Sequence, residues 1–348
     1  MMRQSLRWPW VLLSCLVAPS WLAPATPAHG VPSRSQDLAP DATPAVSLRD
    51  GVIVDAARGV AYVMNREGGV DALRTADGAV LWRSAEAARP LLVADGLLIA
   101  QAEPAAAGEL PVVTLDRGTG HLVARASVGL PEGVWARIED GPRGSFRAAA
   151  VTRGEEVVVR WEATQRRAGP QLQGYVPGPD EGRAPGDAPA AVEERSREER
   201  LRGAAVIAPR TGTVRPELAE RSAAPVGGSV LRTFDGLAGI DGRKFLSADG
   251  RHVLVSRRAD SSSPLEPYRW SIYTRDGRLL GELSSQRSAA PFVVAGARVL
   301  FEARPSGAWI DGEMVTRPLR LQAVELTNGL EAWNQPIRQV EFAGPFPP

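Results

Sequence analysis

The sequence predicts an all-β protein built from repeated antiparallel sheets, and three observations lead to this class. Short runs rich in valine, isoleucine and aromatic residues recur along the chain, and such residues favour a pleated strand. Turns that contain glycine separate these runs, and the chain has nine Asp-Gly pairs in all. Helical periodicity is hard to find outside the first thirty residues and residues 190–202.

One element of the repeat is a strand that meets a glycine turn and is followed by a second strand. Its five copies are Leu73–Trp82, Leu115–Ala124, Ile207–Pro216, Ile272–Gly281 and Val324–Trp333. The turn glycines of these copies are Gly78, Gly120, Gly212, Gly277 and Gly329. Each follows Asp, Asn or Thr, which suits turns that demand a positive φ, because glycine has no Cβ to clash there.

A second element, a turn followed by a dense β-branched run, precedes each of these copies. Its members are Arg58–Met64, Asp95–Gln101, Arg153–Trp161, Asp249–Ser256 and Gly296–Ala303. Gly59 and Gly96 lie 37 residues apart, and Gly250 and Gly296 lie 46 apart. A propeller blade takes about 40–50 residues. The spacing therefore predicts a β-propeller of four-stranded antiparallel blades, of which five are recognisable and five to eight are compatible with the length.

Residues 1–28 have the features of a secretory signal peptide. Arg3 and Arg7 flank a polar start, and the apolar run Trp8–Ala18 is too short to span a bilayer, which needs about 20 residues. The tetrapeptide that ends at Cys15 is similar to the lipobox of bacterial lipoproteins, in which the cysteine is lipidated. Two fates are open: Cys15 leaves with the signal, or the signal ends before Cys15 and a lipid anchors the chain. Either fate predicts an exported protein, periplasmic or anchored to the outer membrane.

Further boundaries follow from composition. Residues 29–45 predict a disordered, proline-rich linker, residues 46–340 the propeller, and residues 341–348 a proline-rich tail. Residues 166–202 predict an insertion in the third blade, rich in proline and glycine at first and able to form a short charged helix where Glu and Arg alternate. We expect a solvated loop there; a docking arm is the alternative.

Composition and motifs exclude several classes of function. The 41 basic and 40 acidic residues leave no basic excess for nucleic acid, and the only cysteine lies in the signal, which excludes a disulfide framework and a thiolate zinc cluster. The three histidines are scattered, and no nucleophile elbow, P-loop or His-Glu-x-x-His is present. Lys244 is the only lysine, which we attribute to coding bias. The sequence thus predicts no catalytic residue, cofactor or metal, and a protein that is not an enzyme.

Two units carry a family resemblance. Ala61–Trp82 and Leu321–Trp333 resemble the PQQ-like β-propeller repeat, with Trp82 and Trp333 at the tryptophan position, whereas Ala124 replaces it in the second unit. The resemblance implies that these tryptophans pack between adjacent blades. It also implies that the first and last blades share a strand, with residues around Val46–Val54 completing the C-terminal sheet.

The resemblance also bears on function. Quinone-dependent dehydrogenases of the wider family use a vicinal disulfide, which a chain without cysteine after its signal lacks. We therefore expect a monomeric protein-binding scaffold of the bacterial envelope, with no nucleic-acid partner and no membrane contact beyond a lipid anchor. It would resemble the periplasmic propeller scaffold of the outer-membrane β-barrel assembly machinery. The alternative is a small-molecule-binding or enzymatic propeller that uses its central channel, for which the charged residues of Arg153–Glu162 are weak candidates.

Overall fold

A computed structural model describes residues 45–103, 108–131, 134, 144–166, 198–217, 235–259, 266–310 and 313–338. These residues form five sheets of four or five antiparallel strands, one separate hairpin and one short 3-10 helix, Asp235–Leu237. Within the same ranges, no helix combines the length and the hydropathy that a bilayer crossing requires. The predicted signal with Cys15, residues 29–44 of the linker and the tail at 341–348 lie outside the described residues.

The five sheets follow one another along the chain and are numbered here as blades 1 to 5. Blade 1 contains β1 (Val46–Arg49), β2 (Val52–Asp55), β3 (Val60–Met64), β4 (Val70–Arg74) and β5 (Val80–Ser84). Blade 2 contains β6 (Arg89–Ala94), β7 (Leu97–Gln101), β8 (Glu109–Asp116) and β9 (Leu122–Gly129). Blade 3 contains β10 (Gly144–Arg153), β11 (Glu156–Arg166), β12 (Glu198–Ala208) and β13 (Thr213–Pro216).

The last two blades complete the series. Blade 4 contains β14 (Arg243–Leu246), β15 (His252–Arg258), β16 (Tyr268–Thr274) and β17 (Leu279–Ser285). Blade 5 contains β18 (Phe292–Ala295) and β19 (Arg298–Ala303), then the separate hairpin β20 (Ser306–Ile310) and β21 (Glu313–Arg317), and finally β22 (Arg320–Glu325) and β23 (Glu331–Pro336). Every blade is a meander in which each strand pairs antiparallel with the previous strand of the same sheet.

The blades are arranged as the sequence predicts. Strand β6, the first of blade 2, contacts β2 of blade 1 and β10, the first strand of blade 3. The strand after each turn glycine forms the last edge of its sheet. All five turn glycines have positive φ, from 71° to 94°. The prediction of an all-β propeller with four-stranded antiparallel blades is therefore confirmed, and the described residues contain five blades.

Apolar side chains fill the space between facing sheets. Blades 1 and 2 enclose Tyr62 and Leu98, blades 2 and 3 enclose Trp161, and blades 4 and 5 enclose Trp270. Blade 5 packs on blade 1 in the same way. The described face of blade 4 that points away from blade 5 packs instead on Leu237 of the 3-10 helix. Burial of apolar area, at roughly 25 cal/mol per Å², is what holds such sheets together.

The structure changes the C-terminal boundary predicted for the insertion. Strand β11 ends at Arg166, where the sequence predicts the insertion to begin, but β12 already begins at Glu198, so residues 198–202 are strand and not part of an insertion. Strand β12 pairs with β11 along this whole stretch, and the Glu162 carboxylate lies 3.9 Å from Arg200 and 3.2 Å from Arg202 on the neighbouring strand. Alternate residues of a strand share a face, so both arginines reach the same partner. Residues 167–197 lie outside the described part of the chain.

The predicted shared strand between the first and last blades is wrong as well. The turn at Asp50 and Gly51 (φ 79°) folds β1 back onto β2, and blade 5 completes its sheet with its own four strands. The ring closes instead through the apolar core between blades 5 and 1. One isolated bridge, Asn65 with Ile337, and a hydrogen bond of 3.1 Å from the Arg338 N–H to the Met64 carbonyl accompany it.

Candidate functional site

The tryptophans predicted from the repeat lie on turn glycines of the next blade. Trp82 of β5 covers Gly120 in blade 2, and Trp333 of β23 covers Gly78 in blade 1. Each indole N–H donates a hydrogen bond of 3.0 Å to the carbonyl oxygen three residues before the glycine that it covers. A Cβ on either glycine would come within 3 Å of the ring. The same contact therefore joins blade 1 to blade 2 and closes blade 5 onto blade 1.

The other three turn glycines meet backbone rather than an indole. A Cβ on Gly212 would collide with a carbonyl oxygen of β9, and one on Gly329 would collide with a carbonyl oxygen of β17. Gly277 faces the carbonyl oxygen of Gly236, just before blade 4, instead of the outer strand of blade 3. Where the tryptophan is missing, as at Ala124, the outer strand itself thus comes close to the next turn. Of all these positions, only Gly329 also borders the cavity described next.

A cavity of about 230 Å³ lies between blades 4 and 5. Trp270 of β16 and Phe301 of β19 form its floor, with ring centroids 5.0 Å apart, and both belong to the apolar core of this junction. Ser284, Gln286 and Gln322 add hydroxyl and amide groups to the wall. The cavity therefore combines an apolar base with polar groups that can orient a ligand.

Four arginines line this cavity, and we call them the arginine cluster: Arg287, Arg304, Arg317 and Arg320. Arg320 begins β22 and is only 7% exposed, and its Nε is buried without a hydrogen-bond partner. Arg317 ends β21 and Arg304 precedes β20, so the hairpin that only blade 5 carries in the described chain brings both to the cavity. Within the described ranges, none of the four guanidinium groups forms an ion pair with a carboxylate.

The charges of the cluster act on one another. Burial lowers the pKa of Arg320, and the positive charge of Arg317 lowers it further. Burial likewise lowers the pKa of Arg287, with Arg304 adding to the effect. One carboxylate that lines the cavity, that of Glu302, forms an ion pair of 3.1 Å with Arg49 of blade 1. Three glutamates also line the cavity, so its four arginines leave an excess of positive charge.

The loop that carries Arg287 is anchored to the core of blade 4. The Trp270 indole N–H donates a hydrogen bond of 2.7 Å to the Arg287 carbonyl oxygen, and the Arg287 N–H donates one of 3.3 Å to the Ser285 hydroxyl. Trp270 is fully buried, so the loop position is tied to the packing of the sheet. The packing of blade 4 thus fixes the position of this rim of the cavity.

A second group of charges lies on the first strands of the blades. Arg89 of β6 is 2% exposed, and its Nη2 lies 3.5 Å from the Asp50 carboxylate of blade 1 and 3.4 Å from the Ala148 carbonyl oxygen of β10. Burial lowers the pKa of Arg89, and Asp50 opposes that shift. One buried side chain therefore connects blades 1, 2 and 3.

The weak channel candidates in Arg153–Glu162 do not converge on such a position. Arg153 pairs with Glu217 at 2.6 Å, and Glu156 pairs with Arg215 at 2.5 Å, each within the sheet of blade 3. All four side chains are partly or largely exposed. Arg153 and Glu156 are therefore each engaged by a partner of opposite charge on blade 3.

Exposed apolar side chains recur on the outer strands. In blade 1, Val80 and Leu81 are 48% and 45% exposed, and in blade 2, Leu122 and Val123 are 40% and 41% exposed. Each pair lies two and three residues after its turn glycine. We call these four residues the rim patch. Trp82 follows Leu81 and lies on Gly120, which is two residues before Leu122, so this contact connects the two strands that carry the pairs.

The arginine cluster and the rim patch were both missed by sequence reasoning. On sequence alone, the near absence of lysine is attributed to coding bias, and no role is assigned to individual arginines. Arg304, Arg317 and Arg320 do lie on either side of Asp311-Gly312, which is a hairpin signal outside the register of the repeat. Arg287 lies a further seventeen residues upstream of Arg304, and no local pattern links it to them.

In the parts of the chain that the structure describes, no three His, Cys, Asp or Glu side chains are placed to hold a metal ion. His252 lies 3.9 Å from Asp249 in a turn of blade 4, and His121 follows the turn glycine of blade 2.

Comparisons with known proteins give the following. No family model matches the chain, and no curated protein matches it. Among solved structures, hydrazine synthase of Kuenenia stuttgartiensis aligns at 11% identity over 75% of this chain and 68% of that chain, with a TM-score of 0.25. A europium-containing methanol dehydrogenase aligns at 13% identity over 80% and 67%, with a TM-score of 0.21. The β-propeller domain of Cps50 (Swd1) from Myceliophteria thermophila aligns at 10% identity over 86% and 88%, with a TM-score of 0.18. The five sheets of this chain define its fold; these distant likenesses say nothing of its activity.

Proposed function

We propose that this chain is a non-catalytic β-propeller of the bacterial cell envelope that binds a protein partner through the rim patch. The observation that carries the proposal is the exposure of Val80, Leu81, Leu122 and Val123 at equivalent positions of two adjacent outer strands. Large apolar side chains grouped on a surface favour contact with another protein. The envelope location rests on the signal-like residues 1–28 and on the lipobox-like sequence at Cys15.

The backbone of the same strands supports this proposal. Strands β5 and β9 are the last in their sheets, so one edge of each has no neighbouring strand in its own sheet. A free edge offers N–H and C=O groups to a strand from another protein, and pockets for alternate side chains then select the partner. An extended segment of a partner would add to β5 or β9 and cover the rim patch. This role resembles that of the propeller scaffold in outer-membrane β-barrel assembly.

Site-specific crosslinking in the native envelope tests the proposal. A photoreactive residue replaces Leu81 in the full chain, and mass spectrometry identifies the crosslinked protein. We expect one protein to dominate at this position, and we expect Leu122→Glu to weaken the crosslink about tenfold, because a charge in an apolar contact costs roughly 1–3 kcal/mol.

The matched control places the photoreactive residue at Thr213, which is exposed on the outer strand of blade 3. This position has no apolar pair beside it and is expected to give no dominant product. Equal crosslinking at residues 81 and 213, or a product that Leu122→Glu leaves unchanged, would overturn the proposal. Circular dichroism of the Leu122→Glu variant verifies that the fold is intact.

A further inference from the structure

We propose that the cavity between blades 4 and 5 is a binding site for a small organic oxyanion, a dicarboxylate or a phosphate monoester with one or two negative charges. The site is independent of the rim patch, which lies on blades 1 and 2. It also differs from the central channel, where the sequence alone would have placed a small-molecule site.

The first argument is the unsatisfied nitrogen of Arg320. A guanidinium group that is 7% exposed and has a buried Nε without a partner is costly, and buried polar groups in proteins are nearly always hydrogen-bonded. Arg320 lines the cavity, so the rest of its guanidinium group borders the space that a ligand would occupy. Arginine offers several N–H donors in a planar fork, a geometry that matches the two oxygens of a carboxylate or a phosphate.

The second argument is the charge balance. The four positive charges of the arginine cluster face the three glutamates that border the cavity, Glu266, Glu302 and Glu331. Glu302 forms an ion pair with Arg49 of blade 1, so the charge of Arg49 is included in the sum. Five arginines against three glutamates leave an excess of two positive charges. An occupant with one or two negative charges restores the balance.

The third argument is size and lining. A volume of about 230 Å³ lies just below the roughly 300–1,000 Å³ of sites for drug-sized molecules, and far above the space that one ion needs. The floor of Trp270 and Phe301 is apolar, which suits a carbon skeleton, while Gln286 and Gln322 can hydrogen-bond to its polar ends. These features favour a small organic anion over an inorganic ion.

Calorimetric titration of the full chain tests the proposal, with succinate and glycerol phosphate as probes at constant ionic strength. We expect saturable one-site binding of at least one probe below about 10 mM, and none of chloride at the same ionic strength. The two probes distinguish a carboxylate site from a phosphate site, and either result supports an oxyanion site. If neither probe saturates in this range, the proposal is wrong.

Variants locate the site. Arg304 and Arg317 are exposed, so the double variant Arg304→Gln/Arg317→Gln is expected to fold and to bind the probe about tenfold more weakly. The matched control is Arg210→Gln in the exposed turn of blade 3, which should bind like the natural chain. Equal weakening in both would show nonspecific charge attraction and would overturn the proposal. Arg320→Met should abolish binding as well, and if this variant does not fold, the double variant decides the matter.

The two proposals fail separately. Loss of the crosslink at Leu81 would leave the anion titration unchanged, because the rim patch and the cavity share no residue. Conversely, a chain that captures its protein partner but binds neither probe would retain the scaffold and refute the anion site.

Discussion

Trp333 is the residue on which closure of the ring depends most directly. It is 8% exposed, belongs to the core between blades 5 and 1, and donates its indole N–H to the Thr75 carbonyl oxygen of blade 1. Trp82 makes the equivalent contact within the chain, between consecutive blades, where the connecting loop already holds the two sheets near each other. A tryptophan therefore contributes more to holding the blades together at the junction of blades 5 and 1, where no connecting loop joins the two sheets.

We expect Trp333→Ala to lower the free energy of unfolding by about 3–5 kcal/mol, the usual range for a buried tryptophan, and Trp82→Ala to lower it by less. Urea denaturation followed by far-ultraviolet circular dichroism measures both values. The Trp82 variant serves as the matched control, because it loses the same number of atoms from the same kind of contact. A larger loss at Trp82 than at Trp333 would contradict this account of closure.

Asp249 gives the fold a specific sensitivity to acid. Burial would raise the pKa of this carboxyl, but His252 at 3.9 Å, the Ser247 hydroxyl at 2.5 Å and the Arg251 N–H at 3.1 Å outweigh burial and lower the pKa to about 2. A pKa lowered from its ordinary 3.8 means that the ionised form stabilises the fold. This stabilisation is present above pH 4 and is lost as the pH falls from about 4 to about 2.

The corresponding prediction concerns the pH profile of Asp249→Asn. At pH 7 the variant should be less stable by about 2 kcal/mol, since a shift of one unit corresponds to about 1.36 kcal/mol. Below pH 2 the two proteins should be equally stable, because Asp249 is then protonated in both states. Urea titrations between pH 7 and pH 2 measure the difference, and a difference independent of pH would show that hydrogen-bond geometry, not charge, is responsible.

At the scale of elements, the sequence predicts strands and turns well where neighbouring residues alone determine the backbone conformation. The five turn glycines all have the positive φ that Asp-Gly, Asn-Gly and Thr-Gly favour. The beginning of β12 escaped prediction because Glu and Arg favour a helix in isolation, whereas in the structure this segment pairs with β11, where Glu162 lies near Arg200 and Arg202. A contact between strands some forty residues apart has no local signature.

The cavity illustrates the same limit for the site. Arg287 reaches it from the loop after blade 4, and Arg320 reaches it from the third strand of blade 5. Their proximity follows from the packing of Trp270 against Phe301, which single-sequence patterns do not encode. The rim patch, by contrast, was within reach of prediction, because alternation fails visibly at Val80-Leu81 and Leu122-Val123, where both faces of an edge strand are apolar.

For the whole molecule, the order of the strands determines where the chain can be cut without dividing a sheet. Each blade contains only consecutive strands, with the hairpin of blade 5 as an addition, so no sheet depends on both ends of the chain. A circular permutant that begins at Arg89, with residues 45 and 338 joined by a flexible linker, should therefore form the same sheets.

A permutant cut between Met64 and Val70, inside blade 1, is the matched comparison. It divides a sheet between the two ends of the chain, and we expect a clearly lower melting temperature than in the permutant cut at Arg89. Circular dichroism and thermal unfolding measure both. If the cut inside the blade were the better tolerated one, the independence of the blades would be wrong.

Closure by Trp333 on Gly78 also bears on how such a protein can change over evolutionary time. When the first and last blades of a propeller share a strand, both ends of the chain must still reach the same sheet after a blade is duplicated or deleted. Here the strands of each sheet follow one another along the chain, and the seal is an indole lying on a glycine turn, a contact that the blade 1–2 junction repeats. A gene duplication of a single unit would therefore insert a finished blade, together with a fresh pair of junctions.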